Sequence, residues 1–182
     1  NPNEFNRWLT THQPFHWFAE FYNIMSDDEG FNIIIGNPPY VNTKKIDYKI
    51  SGDYSTINCG DLFGITIDRA LQLNNRFSLF GMIIPLSGTS TKKMKDVNNL
   101  IFGKGIVWIS YYSASDQPAS LFNGVRHRLM IPIIKSNNNC TSYSTNFLKW
   151  FSEERTELFK NKINYWLYCL NSKYSKNCKI ST

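Results

Sequence analysis

The sequence lacks the features that mark several classes of protein. Its 182 residues contain only short apolar runs, such as Ile33–Ile35 and Met82–Ile84, which are far too short to cross a bilayer. Its first residues show no charged-then-apolar leader. The sequence therefore predicts neither a membrane protein nor a secreted one, and we expect a cytoplasmic location.

Cysteine and histidine are scarce and scattered. The four cysteines, at positions 59, 140, 169 and 178, form no Cys-x-x-Cys pair, and none of the three histidines lies near them at zinc-site spacing. We expect reduced thiols and no metal centre.

Charge is unevenly distributed along an otherwise ordinary globular composition, with 42% apolar and 19% charged residues. Residues 1–91 carry 6 basic against 9 acidic side chains, whereas residues 92–182 carry 14 against 5. The basic half could face a polyanion such as DNA, or it could be a solvated lysine-rich surface.

Apolar segments of strand and helix character alternate along the chain, which predicts an α/β fold. Pro132 inside the last of these segments predicts an edge position or a bulge. Strands joined by a helix are expected to run parallel, with a ligand site beyond their carboxyl ends. The predicted strands are 31–35, 79–85, 106–112 and 128–135, and the predicted helices are 61–74 and 89–102.

A rigid loop, Asn-Pro-Pro-Tyr at 37–40, follows the first predicted strand. Each proline fixes its own φ and removes a hydrogen-bond donor. The loop therefore presents acceptors, the Asn37 amide oxygen and the Pro38 carbonyl, which can take both hydrogens of an –NH2 group and favour its attack as a nucleophile. The ring of Tyr40 is suited to stacking on a planar base. The alternative is a tight Pro-Pro turn without a function.

The segment Phe-Asn-Ile-Ile-Ile-Gly-Asn-Pro-Pro-Tyr-Val resembles the catalytic motif of S-adenosylmethionine-dependent DNA adenine methyltransferases. Further segments resemble, in order, those of type IIG restriction–modification enzymes. The resemblance implies part of a Rossmann-like methyltransferase sheet with flanking helices, and double-stranded DNA as the partner. The further segments are 15–21, 61–64, 81–87, 121–126 and 147–155.

The resemblance also implies roles for individual residues. Asn37 and the Pro38 carbonyl would hold the target amino group, and Tyr40 and Phe122 would sandwich an adenine flipped out of the duplex. The residues expected to line the cofactor's adenine pocket are Pro39, Asp61 and Phe63. Phe122 could instead pack under a loop, and Asp61 could simply cap a helix.

Two departures from the family pattern concern the cofactor. The only glycines before Asn37 are Gly30 and Gly36, so the family's glycine-containing cofactor loop is missing, and Thr66 stands where relatives usually have an aromatic residue. We therefore expect a C-terminal part of a methyltransferase domain that lacks the N-terminal cofactor-binding strands and is inactive alone. Its truncated face would suit self-association or a companion chain.

This interpretation divides the chain into a lead-in segment (1–30), the catalytic part (31–135) and a helical, basic extension (136–182). Two alternatives stay open. An Asn-Pro-Pro-Tyr loop also serves enzymes that methylate protein glutamine or guanine in RNA, and a degenerate remnant would bind DNA without catalysis.

Overall fold

The computed structural model describes residues 1–13, 15–113, 127–151 and 163–168, together with the single residues 154, 157 and 160. The helices are α1 (Pro2–His12), α2 (Trp17–Glu20), α3 (Tyr22–Ser26), α4 (Leu62–Leu73), α5 (Ser87–Ser90) and α6 (Lys95–Phe102). The strands are β1 (Phe31–Gly36), β2 (Asn74–Met82), β3 (Ile84–Pro85), β4 (Gly105–Tyr112), β5 (Leu129–Ser136), β6 (Thr141–Leu148) and β7 (Trp166–Tyr168). Short 3-10 helices cover Thr43–Lys45, Ile57–Cys59 and Lys92–Met94. Within these residues no helix is both long and apolar enough to cross a bilayer.

The seven described strands form one mixed sheet in the order β1-β2-β5-β4-β6-β7, and β3 also pairs with β5. The β1 and β2 strands run parallel across the α4 connection, as the strand–helix–strand pattern predicted. The β5 strand is antiparallel to both β2 and β4, and β6 runs parallel to β4. The prediction of an α/β fold is confirmed, and β1 forms one edge of the described sheet.

Pro132 was predicted at an edge or a bulge, and both alternatives are wrong. It lies in β5, a central strand, opposite Ile109 in a continuous ladder with β4. On the other side of β5, the ladder stops at Gly81 and resumes at Ile84. A proline has no N–H to donate, and Pro132 falls in this interruption, so a central strand accommodates it.

Two predicted elements have other bounds. The predicted helix 89–102 is divided into α5, a 3-10 helix and α6, because Thr91 between them adopts an extended backbone with φ −117° and ψ 145°. Its hydroxyl donates to the Ser87 carbonyl, a local bond of the kind that competes with helix continuation. The second predicted strand begins earlier, at Asn74.

The two faces of the sheet are packed differently. On one face, α4 and α6 cover a core that includes Phe80, Val107 and Ile134, each at most 1% exposed. Alternate residues of the same strands point to the other face. Large apolar side chains remain exposed there, at Ile33 (61%), Ile35 (80%), Phe77 (76%), Leu79 (40%) and Ile133 (39%).

Candidate active site

The loop 37–40 begins directly after β1, where the strand's last residue is tied to its neighbour. Ile83 N–H, at the junction of β2 and β3, donates to the Gly36 carbonyl over 3.1 Å. Asn37 is exposed, Pro38 is buried and Tyr40 is half-buried. The start of the loop is thus held both by β1 and by the residue between β2 and β3. The Asn37 side chain, which is expected to bind substrate, is exposed to solvent.

The hydroxyl of Tyr40 connects the loop to the second strand. Its oxygen lies 2.9 Å from Asn37 Oδ1 and 2.7 Å from the Ile83 carbonyl oxygen, so its single proton is shared between these two acceptors. Burial raises the pKa of Tyr40 to about 12, which keeps the hydroxyl protonated in neutral solution. This contact fixes the Asn37 amide group in one orientation.

Both acceptors expected from the sequence have unused hydrogen-bonding capacity among the described residues. An amide oxygen has two lone pairs, so Asn37 Oδ1 can accept a further hydrogen beside that of Tyr40. The Pro38 carbonyl accepts no hydrogen bond from any described residue. The geometry therefore offers two acceptor atoms on neighbouring residues, and this is what an –NH2 group needs.

The ring of Tyr40 has a rigid support. It packs edge-on against Phe63 of α4, with ring centroids 6.4 Å apart and an interplanar angle of 89°. Phe63 is only 2% exposed and belongs to the core. Phe63 therefore lies under Tyr40. It would affect a ligand only indirectly, by holding the Tyr40 ring in place.

The other residues expected at the cofactor are accessible. Pro39 is exposed and Asp61 is half-buried. Asp61 occupies the N-cap position of α4, but its side chain makes no capping hydrogen bond. Its carboxylate thus remains open to a ligand. The alternative interpretation, in which Asp61 simply caps the helix, has no side-chain hydrogen bond to support it. The residues fit one wall of a cofactor site, and Thr66, whose hydroxyl bonds to the Leu62 carbonyl over 2.9 Å, offers no aromatic face.

A large apolar groove runs along the free edge of β1. Its volume is about 610 Å³. The strand edge, α4 and the loop before α4 form its walls, and the lining residues include Ile33, Ile35, Tyr48, Tyr54, Leu62 and Thr66.

A buried carboxylate, which the sequence did not single out, fixes the loop before α4. Asp68 is 5% exposed and accepts hydrogen bonds from Ser55 Oγ at 2.9 Å and Thr56 N–H at 3.1 Å. Gln72 donates to its other oxygen at 3.2 Å. The loop then pairs with the segment after Tyr40, where Thr43 N–H donates to the Gly60 carbonyl at 3.0 Å. In the sequence, the only indication of this buried carboxylate was a polar residue on an otherwise apolar face of α4.

Two further expectations concern the rest of the site. Phe122, expected to stack on the flipped base, lies outside the described residues. No group of three or more histidine, cysteine or acidic side chains that could hold a metal ion occurs within the part of the chain described.

Comparison with known protein families identifies the family to which this sequence belongs. Residues 3–117 match the Eco57I restriction-modification methylase family, which is more than half of the chain. The chain belongs to this family. The match includes the Asn-Pro-Pro-Tyr loop and every element from α1 to β4. No curated protein sequence matches the chain significantly.

Three solved structures share the fold of this family member. A nuclease-deletion mutant of the type ISP restriction-modification enzyme LlaGI, in complex with a DNA substrate mimic, is 14% identical, with a TM-score of 0.62 over 84% of this chain and 18% of that one. The DrdV–DNA complex is 13% identical, with a TM-score of 0.60 over 90% of this chain and 18% of that one. The M protein of the type I restriction enzyme EcoKI is 12% identical, with a TM-score of 0.51 over 75% of this chain and 32% of that one.

These similarities at low sequence identity show a common fold. This chain spans about a fifth of the first two proteins and about a third of the third.

Proposed function

We propose that this chain carries the substrate-binding part of a DNA methyltransferase of a restriction–modification system of type IIG character. The reaction is transfer of a methyl group from S-adenosylmethionine to the exocyclic amino group of adenine. Membership of the Eco57I methylase family supports the reaction class. The observation that carries the proposal is a pair of neighbouring acceptors beside a rigid aromatic ring: Asn37 Oδ1, which can accept a further hydrogen bond besides that of Tyr40, and the Pro38 carbonyl, which accepts none from a described residue.

The acceptor pair acts on the amino nitrogen. Each oxygen accepts one N–H hydrogen, which leaves the nitrogen lone pair directed out of the loop. As this nitrogen attacks, it becomes more positive, so its N–H bonds donate more strongly to Asn37 and Pro38 in the transition state than in the ground state. Bound S-adenosylmethionine would supply the methyl group and keep the bonding electrons on its sulfur, and the amino nitrogen would then lose a proton to solvent.

Tyr40 has two functions in this proposal. Its hydroxyl holds Asn37 in the accepting orientation, and its ring, supported by Phe63, stacks on the flipped adenine. Such extrusion is required because a base inside a duplex does not offer its amino group to an enzyme loop. Phe122 completes the base pocket in this proposal.

S-Adenosylmethionine supplies an electrophilic methyl group on a sulfonium sulfur when it is bound. Pro39 and Asp61 would hold one side of it. We propose that residues outside this chain, joined to it or on a companion chain, provide most of the remaining cofactor site, because no glycine loop precedes Asn37. The division into 1–30, 31–135 and 136–182 stays a prediction.

Calorimetry tests the cofactor part of the proposal. The 182-residue chain is expected to show no binding of S-adenosylmethionine, whereas the complete protein that contains it binds. Clear binding to the chain alone would show that its own residues complete the pocket, and that the proposed division is wrong.

Labelled S-adenosylmethionine tests the substrate class. The complete protein is incubated with double-stranded DNA, with structured RNA and with a protein extract in separate reactions. Label in DNA alone supports the proposal. Label in protein or RNA would instead support an enzyme for glutamine or guanine amino groups, and binding of DNA without any label would indicate a non-catalytic remnant.

A further inference from the structure

Four lysines lie on two 3-10 helices beside the Asn-Pro-Pro-Tyr loop. Lys44 and Lys45 end the first of these helices, and Lys92 and Lys93 begin the second. All four side chains are exposed. We call these four residues the lysine cluster.

The fold brings the two helices together at Gly60. The Lys93 side chain lies directly over Gly60, so closely that a Cβ there would collide with it, and Thr43, the residue before Lys44, is also adjacent. Gly60 has φ +71°, a backbone conformation that suits glycine. The absence of a side chain at this point leaves room for the Lys93 side chain beside Thr43, the first residue of the helix that carries Lys44 and Lys45.

The first helix is firmly attached to the candidate active site. The Asn42 side chain accepts a hydrogen bond from Lys44 N–H at 3.0 Å, and Leu62 N–H donates to the Val41 carbonyl at 2.9 Å. Lys44 is four positions after Tyr40, so their Cα atoms are at most about 14 Å apart. That distance corresponds to about four nucleotides along one DNA strand.

The charges of the lysine cluster are not neutralised within the described residues. None of the four ammonium groups forms an ion pair with a described carboxylate. The charges of Asp61, Asp96 and Lys93 all act on the Cys59 thiol, and no ion pair joins Lys93 to either carboxylate. Like charges on adjacent, fixed positions repel one another, and a phosphate backbone would convert this repulsion into attraction.

We propose that the lysine cluster is a phosphate-contact surface that holds the DNA strand flanking the target adenine. The inference rests on the proposed function, because it assigns the partner at the same site. Contacts of this kind fix the position of the duplex and carry no sequence information. The cluster would keep the flipped nucleotide over Asn37 while residues elsewhere read the sequence.

The test measures binding of the complete protein to a random-sequence 30-base-pair duplex between 50 and 200 mM salt. The double variant K44Q/K93Q removes one charge from each 3-10 helix. Each lost phosphate contact lowers the slope of log K against log salt by about 0.9, so a reduction of about 2 is expected. The variant K44R/K93R keeps both charges and should keep the slope.

A matched control removes two lysines from the opposite end of the sheet. Lys104 precedes β4 and Lys135 lies near the end of β5, and K104Q/K135Q should leave the slope unchanged. An unchanged slope in K44Q/K93Q would overturn the proposal, as would an equal reduction in both double variants.

Methyl transfer by the wild-type protein is measured in parallel. If no methyl group is transferred but K44Q/K93Q still loses slope and the control does not, the phosphate-contact surface stands and the proposed function fails. If transfer proceeds and the slopes are equal, the proposed function stands and the surface is wrong.

Discussion

The end and the edge of β1 differ in how completely they are built. At its carboxyl end, Gly36 is bonded to Ile83, and the Tyr40 hydroxyl links Asn37 to the same residue. Along its outer edge, no described strand pairs with β1, and Ile35 is 80% exposed beside an open groove. The same strand thus carries a well-bonded loop at its end, where we propose the amino-group site, and an exposed apolar surface at its side.

The open edge agrees with one of the two departures from the family pattern, the lack of a glycine loop before Asn37. The residues that would hold an amino group need only β1, β2 and α4, and all three are present. In the proposed function the described residues contribute Pro39 and the start of α4 to the cofactor site, and its other walls come from elsewhere. In the function that we propose, the amino-group site is therefore complete within these elements, whereas the cofactor site needs additional residues.

The largest expected effect is at Asn37. Replacing Asn37 by Ala removes one of two acceptors that strengthen in the transition state, and losing one such preorganised contact typically costs about 10²–10³-fold in rate. Single-turnover methyl transfer to DNA by the complete protein measures it.

Asn32 provides the matched control for this variant. It lies on the same strand, where it accepts a hydrogen bond from Asn75 at 2.7 Å, far from the loop. Asn32→Ala should keep nearly full activity. Equal rates for Asn37→Ala and wild type would remove Asn37 from the reaction.

The second-largest effect concerns the loop before α4, which pairs with the segment after Tyr40 and is held by Asp68. Asp68→Ala leaves the buried Thr56 N–H without its acceptor and removes an acceptor from three side-chain donors, on Ser55, Thr56 and Gln72. The unsatisfied buried N–H and the lost carboxylate together should lower the free energy of unfolding by about 3 kcal/mol, measured by urea denaturation. Asp53→Ala, at an exposed site on the same loop, should change it by less than about 0.5 kcal/mol. A similar small change in both variants would show that Asp68 does not hold the loop.

The third effect compares neighbouring side chains of β1. Ile34 packs against the core, so Ile34→Ala should cost about 2 kcal/mol of unfolding free energy in the 182-residue chain. Ile35→Ala should cost about 0.5 kcal/mol or less, because this side chain is 80% exposed. In the complete protein the cost at Ile35 should rise if another element covers the edge. Equal costs in the chain alone would contradict the difference between the two sides of the strand.

The smallest effect separates the two functions of Tyr40. Tyr40→Phe keeps the ring but loses the bonds to Asn37 and Ile83, so kcat should fall about tenfold, equivalent to about 1.4 kcal/mol, with little change in KM for DNA. Tyr40→Ala should also raise KM, since the stacking ring is gone. Because the pKa of Tyr40 is raised to about 12, its hydroxyl should contribute no pH dependence below about pH 10. A larger effect of Tyr40→Phe on KM than on kcat would contradict the positioning function.

The predictable parts of the molecule were those with a local cause. The β-branched run of β1, followed by two prolines, indicates both the strand and the rigid loop, and α4 follows from its apolar periodicity. The parts that were not predicted depend on distant contacts. The Tyr40–Ile83 bond joins residues 43 positions apart, Pro132 fits a central strand only because the ladder opposite is interrupted, and β6 is a polar strand that pairs with β4.

The lysine cluster shows the same limit at the surface. The division of charge between the two halves of the sequence suggested a basic second half, but the cluster takes two lysines from each half. Only the close approach of Lys93 to Gly60 and Thr43 indicates that the two lysine-bearing helices lie side by side.

The central claim, methyl transfer to an adenine amino group, is tested most directly by identifying the methylated base. DNA labelled by the complete protein is hydrolysed to nucleosides and separated by chromatography with mass detection. We predict that the label is found in N6-methyladenine and that it disappears with Asn37→Ala. Label in 5-methylcytosine, where a ring carbon and not an amino nitrogen accepts the methyl group, would contradict the account.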